Sequence, residues 1–217
     1  DETTHFKIET SVALSSDGTK VAFGDVNGIV ILWDVTSDTI DTSFNSGYEV
    51  TSLAFNDYGF NVTTVAYGDV EGTVKVWDLS DRIQYDTSIN YSSEVTSVAF
   101  NNSGTKFVSG YSNGITQVWN LALSTNTVNY LASFNSNSKV TSVAFNHDGT
   151  EIISGDSSGN VKVWNASSGV LDTSFSLGQY NNITSLAFND DGTKVVSGDV
   201  NGNVKIWNVI DNEIYAS

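Results

Sequence analysis

Between residues 140 and 165 the apolar side chains fall in three short runs: Val143 and Phe145, then Ile152, then Val161 and Val163. The runs are separated by Asp148-Gly149 and by Ser157-Ser158-Gly159. Short β-rich runs bounded by such turn dipeptides predict strands joined by tight hairpins. The chain writes near-copies of this pattern five times, each ending on a Trp followed by Asp or Asn. A more variable stretch follows each Trp, 169–175 in this copy, and supplies a fourth strand. The expected unit is one small twisted antiparallel sheet, and the chain is all-β.

The copies are in phase. From Leu14, Phe55, Phe100, Phe145 and Phe188 to Trp33, Trp77, Trp119, Trp164 and Trp207 the separations are 19, 22, 19, 19 and 19 residues, and successive Trp lie 44, 42, 45 and 43 residues apart. That period, about 40–45 residues, is the one expected for the four-stranded blade of a β-propeller. Five antiparallel blades are predicted at about 11–45, 51–90, 96–134, 140–175 and 183–217, in a single domain spanning 1–217. In the first blade the strands lie near 11–14, 20–23 and 29–33, with Asp17-Gly18 and Asn27-Gly28 as turns. Residues 1–10, in which Phe6 and Ile8 alternate, read as a leading strand resembling the tail of a preceding repeat. The second blade carries three extra residues within 59–64, predicting a bulge or a protruding hairpin. In the third the exit, 121–130, is longer, and Tyr111 stands where the other blades have Asp25, Asp69, Asp156 and Asp199. Residues 212–217 are long enough for an outer fourth strand.

The Ser-Val-Ala-Phe strand, the Asp-Gly-Thr-Lys hairpin, the Ser-Gly pair and the Val-Lys-Val-Trp-Asn strand resemble the WD-repeat β-propeller family over essentially the whole chain. Trp-Asp itself occurs at Trp33-Asp34 and Trp77-Asp78. The family's Asp–His–Ser/Thr–Trp network is retained only in parts, as the five structural Trp and the hydroxyls of Ser109, Ser154 and Ser197. Phe23 and Tyr67 replace the hydroxyl in the first two blades, and no blade has His before its first strand. The resemblance implies the fold all the same, because one large indole per blade and the Val/Ile/Phe layers carry most of the burial. It also implies rings of seven blades more often than five. Five blades curved for a seven-fold ring leave a gap and two open sheets, to be filled by tight closure, by blades outside these residues or by neighbouring copies.

No apolar run approaches the roughly 18 residues of a membrane span. Lys plus Arg number 9 against 25 acids, a formal net charge of −16, and Arg82 is the single arginine. Such a surface repels phosphate backbones and anionic lipid, which argues against a nucleic-acid or membrane partner. Cys is absent, which excludes disulfides and thiolate sites. Opening on Asp1 without Met or a basic–apolar leader, the chain reads as a processed or excised portion of a longer product. Richness in Ser, Thr and Asn with no Cys or Met slightly favours an extracellular or cell-surface location.

Catalysis finds little support. Glycosidases need two carboxylates facing one another in the channel, and the innermost strands, placed at 11–14, 52–55, 97–100, 142–145 and 185–188, hold no acid. His5 and His147 are the two histidines, one near the start of the chain and one in a hairpin, so a triad or a His-based metal site lacks its base. No cofactor or metal is expected. Asp25, Asp69, Asp156 and Asp199 open the second hairpin of their blades, where Asp caps its own Gly-containing turn; oxygens at repeated positions could also hold Ca²⁺ or meet a partner. Tyr48, Tyr91 and Tyr180 lie in the loops leading into blades two, three and five. Given the family geometry, they share one rim with those Asp residues and Tyr111, and rigid Tyr is enriched at interfaces. The expected function is a non-catalytic scaffold binding a protein or peptide through this rim. The alternative is a structural building block of an extracellular array or filament, whose partners are further copies of itself.

Overall fold

The computed structural model describes residues 8–56, 64–79, 83–85, 89–122, 124–211 and 213–216, without the side chains of 83, 215 and 216. Expectations placed on His5, Phe6, Arg82 and the insertion at 59–63 lie outside these residues.

Every described element is a strand. The first blade contains β1 (Glu9–Leu14), β2 (Lys20–Asp25), β3 (Ile29–Asp34) and β4 (Thr39–Asn45). The second has β5 (Val50–Asn56), β6 (Thr64–Asp69), β7 (Thr73–Asp78) and a split outer strand, β8 (Ile83–Gln84) and β9 (Ile89–Asn90), both paired with β7. The third has β10 (Val95–Phe100), β11 (Lys106–Tyr111), β12 (Ile115–Ala122) and β13 (Thr127–Asn135). The fourth has β14 (Val140–Phe145), β15 (Glu151–Asp156), β16 (Asn160–Asn165) and β17 (Leu171–Ser176). The fifth has β18 (Ile183–Phe188), β19 (Lys194–Asp199), β20 (Val204–Asn208) and β21 (Glu213–Ala216). Each sheet runs in chain order. Blade limits differ from the predicted ones by a residue or two. The main correction is at the start, where Glu9 and Thr10 belong to β1 and not to a leading strand. The long exit of the third blade is an extended hairpin, because β12 and β13 stay paired out to Ala122 and Thr127.

Each innermost strand carries the same irregularity. Pairing slips between Val50 and Ser52, and Thr51 in the slip donates its hydroxyl to the Gly68 carbonyl at 3.0 Å. Thr10, Thr96, Thr141 and Thr184 repeat this bond to Gly24, Gly110, Gly155 and Gly198 at 2.9–3.2 Å. A short side chain with a hydroxyl satisfies backbone that a bulge would leave unpaired.

The cores lie between blades. Ala22, Val30 and Leu32 of the first meet Val50, Leu53, Phe55, Val65 and Tyr67 of the second, and comparable clusters fill the next three junctions. Burying a Val, Leu or Ile stabilises by about 1.5–3 kcal/mol, so each junction outweighs any one hydrogen bond within it. The innermost strands pack in the order β1, β5, β10, β14, β18, and the second strand of each blade lies over the first strand of the next. Close approach there requires Gly. A Cβ at Gly24 or Gly68 would overlap Val50 or Val95, and one at Gly110 or Gly155 would lie 2.6 Å from Val140 or 2.5 Å from Ile183. The backbone also bridges two junctions, with Val98 N–H donating to Ser52 Oγ and Val143 N–H to Ser97 Oγ at 3.0 and 3.2 Å.

Trp stacking fastens neighbouring blades. Trp77 lies on Phe44, Trp164 on Phe134 and Trp207 on Phe175, with ring centroids 4.4, 4.4 and 4.8 Å apart. In each pair the Phe comes from the outer strand of the preceding blade. Among the described residues the succession does not return to its start, since β18 is not packed on β1 as its predecessors are on each other. Val12 is 64% exposed where its counterpart Leu53 is 7%. At the other end Val204 is 59% exposed where Val30, Val74 and Val161 are fully buried. Over the described residues the five blades form an open arc and not a tight five-bladed ring.

Candidate interaction rim

The loops joining each outer strand to the next innermost strand stand beside the second hairpins. The hydrogen bonds repeat: Ser46, Tyr91, Ser136 and Leu177 N–H donate to the carbonyls of Gly28, Gly72, Gly114 and Gly159 at 2.7–3.1 Å. Side chains add to this, Ser138 with Ser158 at 2.8 Å and Asn201 Nδ2 with Asn181 Oδ1 at 2.8 Å. Loop and hairpin therefore form one continuous, tethered rim.

On it Tyr180, Tyr48 and Tyr91 are exposed, at 87, 52 and 39%. Tyr180 sits in a left-handed conformation with φ 72°, which pushes its ring out beside Ser157, Ser158 and Gln179 around a shallow recess of about 270 Å³. Tyr111, expected beside them at the surface, is wholly buried. Its ring packs 5.2 Å from that of Tyr91. Its hydroxyl accepts from Ser109 Oγ, which accepts from Trp119 Nε1, both at 3.1 Å. Burial raises its pKa above the usual tyrosine range. Tyr111 supports Tyr91 from beneath.

The four Asp residues face inward. Asp69, Asp156 and Asp199 are buried and Asp25 is half-buried. Each accepts two backbone N–H groups of its own hairpin through Oδ1: Asn27 and Ile29 on Asp25, Glu71 and Thr73 on Asp69, Ser158 and Asn160 on Asp156, Asn201 and Asn203 on Asp199. Asn160 and Asn203 side chains cover the second oxygen of Asp156 and Asp199. This is turn capping, and the expectation that the set is displayed for a partner is corrected for Asp69, Asp156 and Asp199. Among the described residues no cluster of His, Asp and Glu is placed to hold a metal ion.

The Trp network survives further than its missing His suggests. Trp164 and Trp207 donate to Ser154 and Ser197 at 2.8 and 2.9 Å, and Ser136 Oγ lies 3.4 Å from Ser154 Oγ.

The axial region presents two recesses, at opposite ends of the innermost strands. One, of about 380 Å³, is lined by Thr10, Thr51, Thr96 and Thr141 with Glu49, Glu94 and Lys139. Its threonine hydroxyls are committed to glycine carbonyls, and Lys139 pairs with Glu94 at 3.1 Å. The other, of about 260 Å³, is lined by Phe55, Phe100, Phe145, Asn101, Asn102, Asn146 and His147. Glu9 is an acid within an innermost strand, because β1 begins two residues before the position its sequence pattern predicts. His147 is exposed in its turn, as expected.

Residues 39–78 and 171–208 match the family model of the WD domain, G-beta repeat, and residues 82–176 match that of the Vps8 beta-propeller. No curated protein matches the chain. Among solved structures, the computationally designed Ika8 protein is 28% identical over 95% of this chain and 60% of its own, with a TM-score of 0.80. A chain of the mitotic checkpoint complex is 23% identical over 92% of this chain and 60% of its own, also with a TM-score of 0.80. The chain thus spans 60% of the length of both solved chains. Its five four-stranded antiparallel blades give the chain a propeller-type all-β fold similar to that of WD-repeat propellers, which generally serve as non-catalytic scaffolds and bind protein partners. The WD match begins each time on an outer strand, β4 or β17, and ends on the Trp strand of the following blade.

Proposed function

We propose that this chain is a non-catalytic scaffold that docks a protein or peptide on the rim carrying Tyr48, Tyr91 and Tyr180. The observation that carries the reading is three exposed aromatic rings on three separate loops, each loop tied to a neighbouring hairpin by a repeated backbone bond. Such loops lose little entropy on binding, and amphipathic rings supply contact area with a polar tip. The net charge of −16 favours a partner segment carrying Lys or Arg. Peptides selected on the native chain from a displayed random library test this. They are expected to bind the Y48A/Y91A/Y180A variant at least about tenfold more weakly. They should bind Tyr130→Ala, an exposed ring on the outer strand β13, unchanged. Equal binding to the native chain and the triple variant would refute the rim.

The alternative, a building block of an extracellular array, draws on the uncovered faces of the first and fifth blades. Light scattering across a concentration series separates the two readings, a scaffold remaining monodisperse while an array component grows.

A further inference from the structure

The four internal junctions share one recipe. The strand entering each junction reads Val50-Thr-Ser-Leu-Ala-Phe, Val95-Thr-Ser-Val-Ala-Phe, Val140-Thr-Ser-Val-Ala-Phe or Ile183-Thr-Ser-Leu-Ala-Phe, and its leading aliphatic side chain drops over Gly24, Gly68, Gly110 or Gly155 of the blade before it. The fifth blade repeats the receiving half of that recipe, with no described residue seated in it. Around a Cβ built on Gly198 only Thr184 Oγ1 comes near, at 3.7 Å. Val196 and Val204, whose counterparts in the first four blades are buried, are exposed beside it. Ser185, counterpart of Ser52 and Ser97, stands where an incoming N–H would be accepted.

The first blade of this chain offers nearly the right strand, Glu9-Thr-Ser-Val-Ala-Leu14, with Val12 and Leu14 exposed. The discordant residue is the first. Where every internal junction buries Val or Ile, a second copy would press a carboxylate onto Gly198 amid apolar side chains, and an unpaired buried carboxylate is strongly disfavoured. We propose that the face around Gly198 is a socket for the innermost strand of another WD-type blade opening on Val or Ile, and that Glu9 bars a second copy of this chain from filling it. The charge acts as a gatekeeper on an exposed edge, where the remaining sequence would otherwise promote head-to-tail growth.

Two full-length chains test this. One is native, with an open socket and a barred strand. The other is the E9V/G198V variant, with a competent strand and a socket filled by its own side chain. Gly198 has no positive φ and has space around it, so the variant is expected to fold, which circular dichroism checks. In sedimentation velocity each chain alone is expected to stay monomeric. Their mixture should form a one-to-one complex at least about tenfold tighter than either self-association. The single variant Glu9→Val should grow into longer head-to-tail species. A mixture of folded chains that stays monomeric overturns the socket. Native chains that associate as tightly as the mixed pair, in a way that Gly198→Val abolishes, overturn the role of Glu9.

Discussion

At the scale of single residues, the buried carboxylates of the hairpin turns are unequal in a way that can be exploited. Asp156 and Asp199 have both oxygens covered, the second by Asn160 or Asn203 at 3.0 or 2.8 Å. Asp69 has Thr73 at the matching position, and its Oδ2 is buried without a hydrogen-bond partner. Thr73→Asn should place an amide donor there and raise stability by about 1 kcal/mol, seen as a higher urea midpoint. The opposite sign is expected for Ser154→Ala. It strips the acceptor from the buried Trp164 indole, now bonded at 2.8 Å, and should cost about 1–3 kcal/mol in the same measurement.

At the scale of elements, the innermost and second strands are matched by close backbone approach, and the same substitution should have different effects at equivalent positions. Gly110→Ala puts a methyl 2.6 Å from Val140 and is expected to cost about 1–3 kcal/mol. Gly198→Ala, with open space around it, should be neutral or stabilising by up to about 1 kcal/mol through the unfolded chain. Thermal denaturation of the two variants side by side checks the contrast. The strands were legible because turn dipeptides and a fixed Trp spacing punctuate them. The outer strands were less so: β13 alternates weakly, and its hairpin with β12 passes through a Ser-Thr-Asn-Thr run that reads as loop. Tyr111 could not be placed from sequence, because the position it shares with the capping Asp residues is buried, and an aromatic ring there fills space in place of a cap. The exposed loop tyrosines were legible because nothing apolar flanks them. Glu9 is not legible in the sequence, because a lone acid at a strand end gives no periodic signal.

At the scale of the whole molecule, a strongly acidic chain raises the question of how it behaves in acid. The Lys20 ammonium bonded to Asp34 at 2.8 Å, helped by the Ser37 N–H, holds that carboxyl down to about 2. Hydrogen bonds from Thr19, Thr150 and Thr193 lower Asp17, Asp148 and Asp191 in the same direction. A carboxyl depressed in the folded state contributes stability above its unfolded value, near 3.9, and that contribution disappears as the pH falls toward the folded value. Glu151 works the other way. Burial raises it, aided by Asp172 and Asp148, so its cost is present at neutral pH and is relieved on acidification. Stability is therefore expected to hold to about pH 4 and to fall between there and pH 2. Lys20→Met should lose more at pH 5 than at pH 2, which denaturant midpoints at the two pH values compare directly.

The way Phe44, Phe134 and Phe175 lie across the Trp of the following blade has a consequence for how the arc comes apart. The first, third and fourth blades are not self-contained tiles, since peeling one away uncovers an indole on its successor and strips the roof from the hydrocarbon seam beside it. Loss of order should begin at the two ends and run inward like a zip, each released unit loosening the next. Amide exchange should accordingly be slower in the interior blades than in the first and fifth, and slowest in the fourth, which is clasped in this way on both sides.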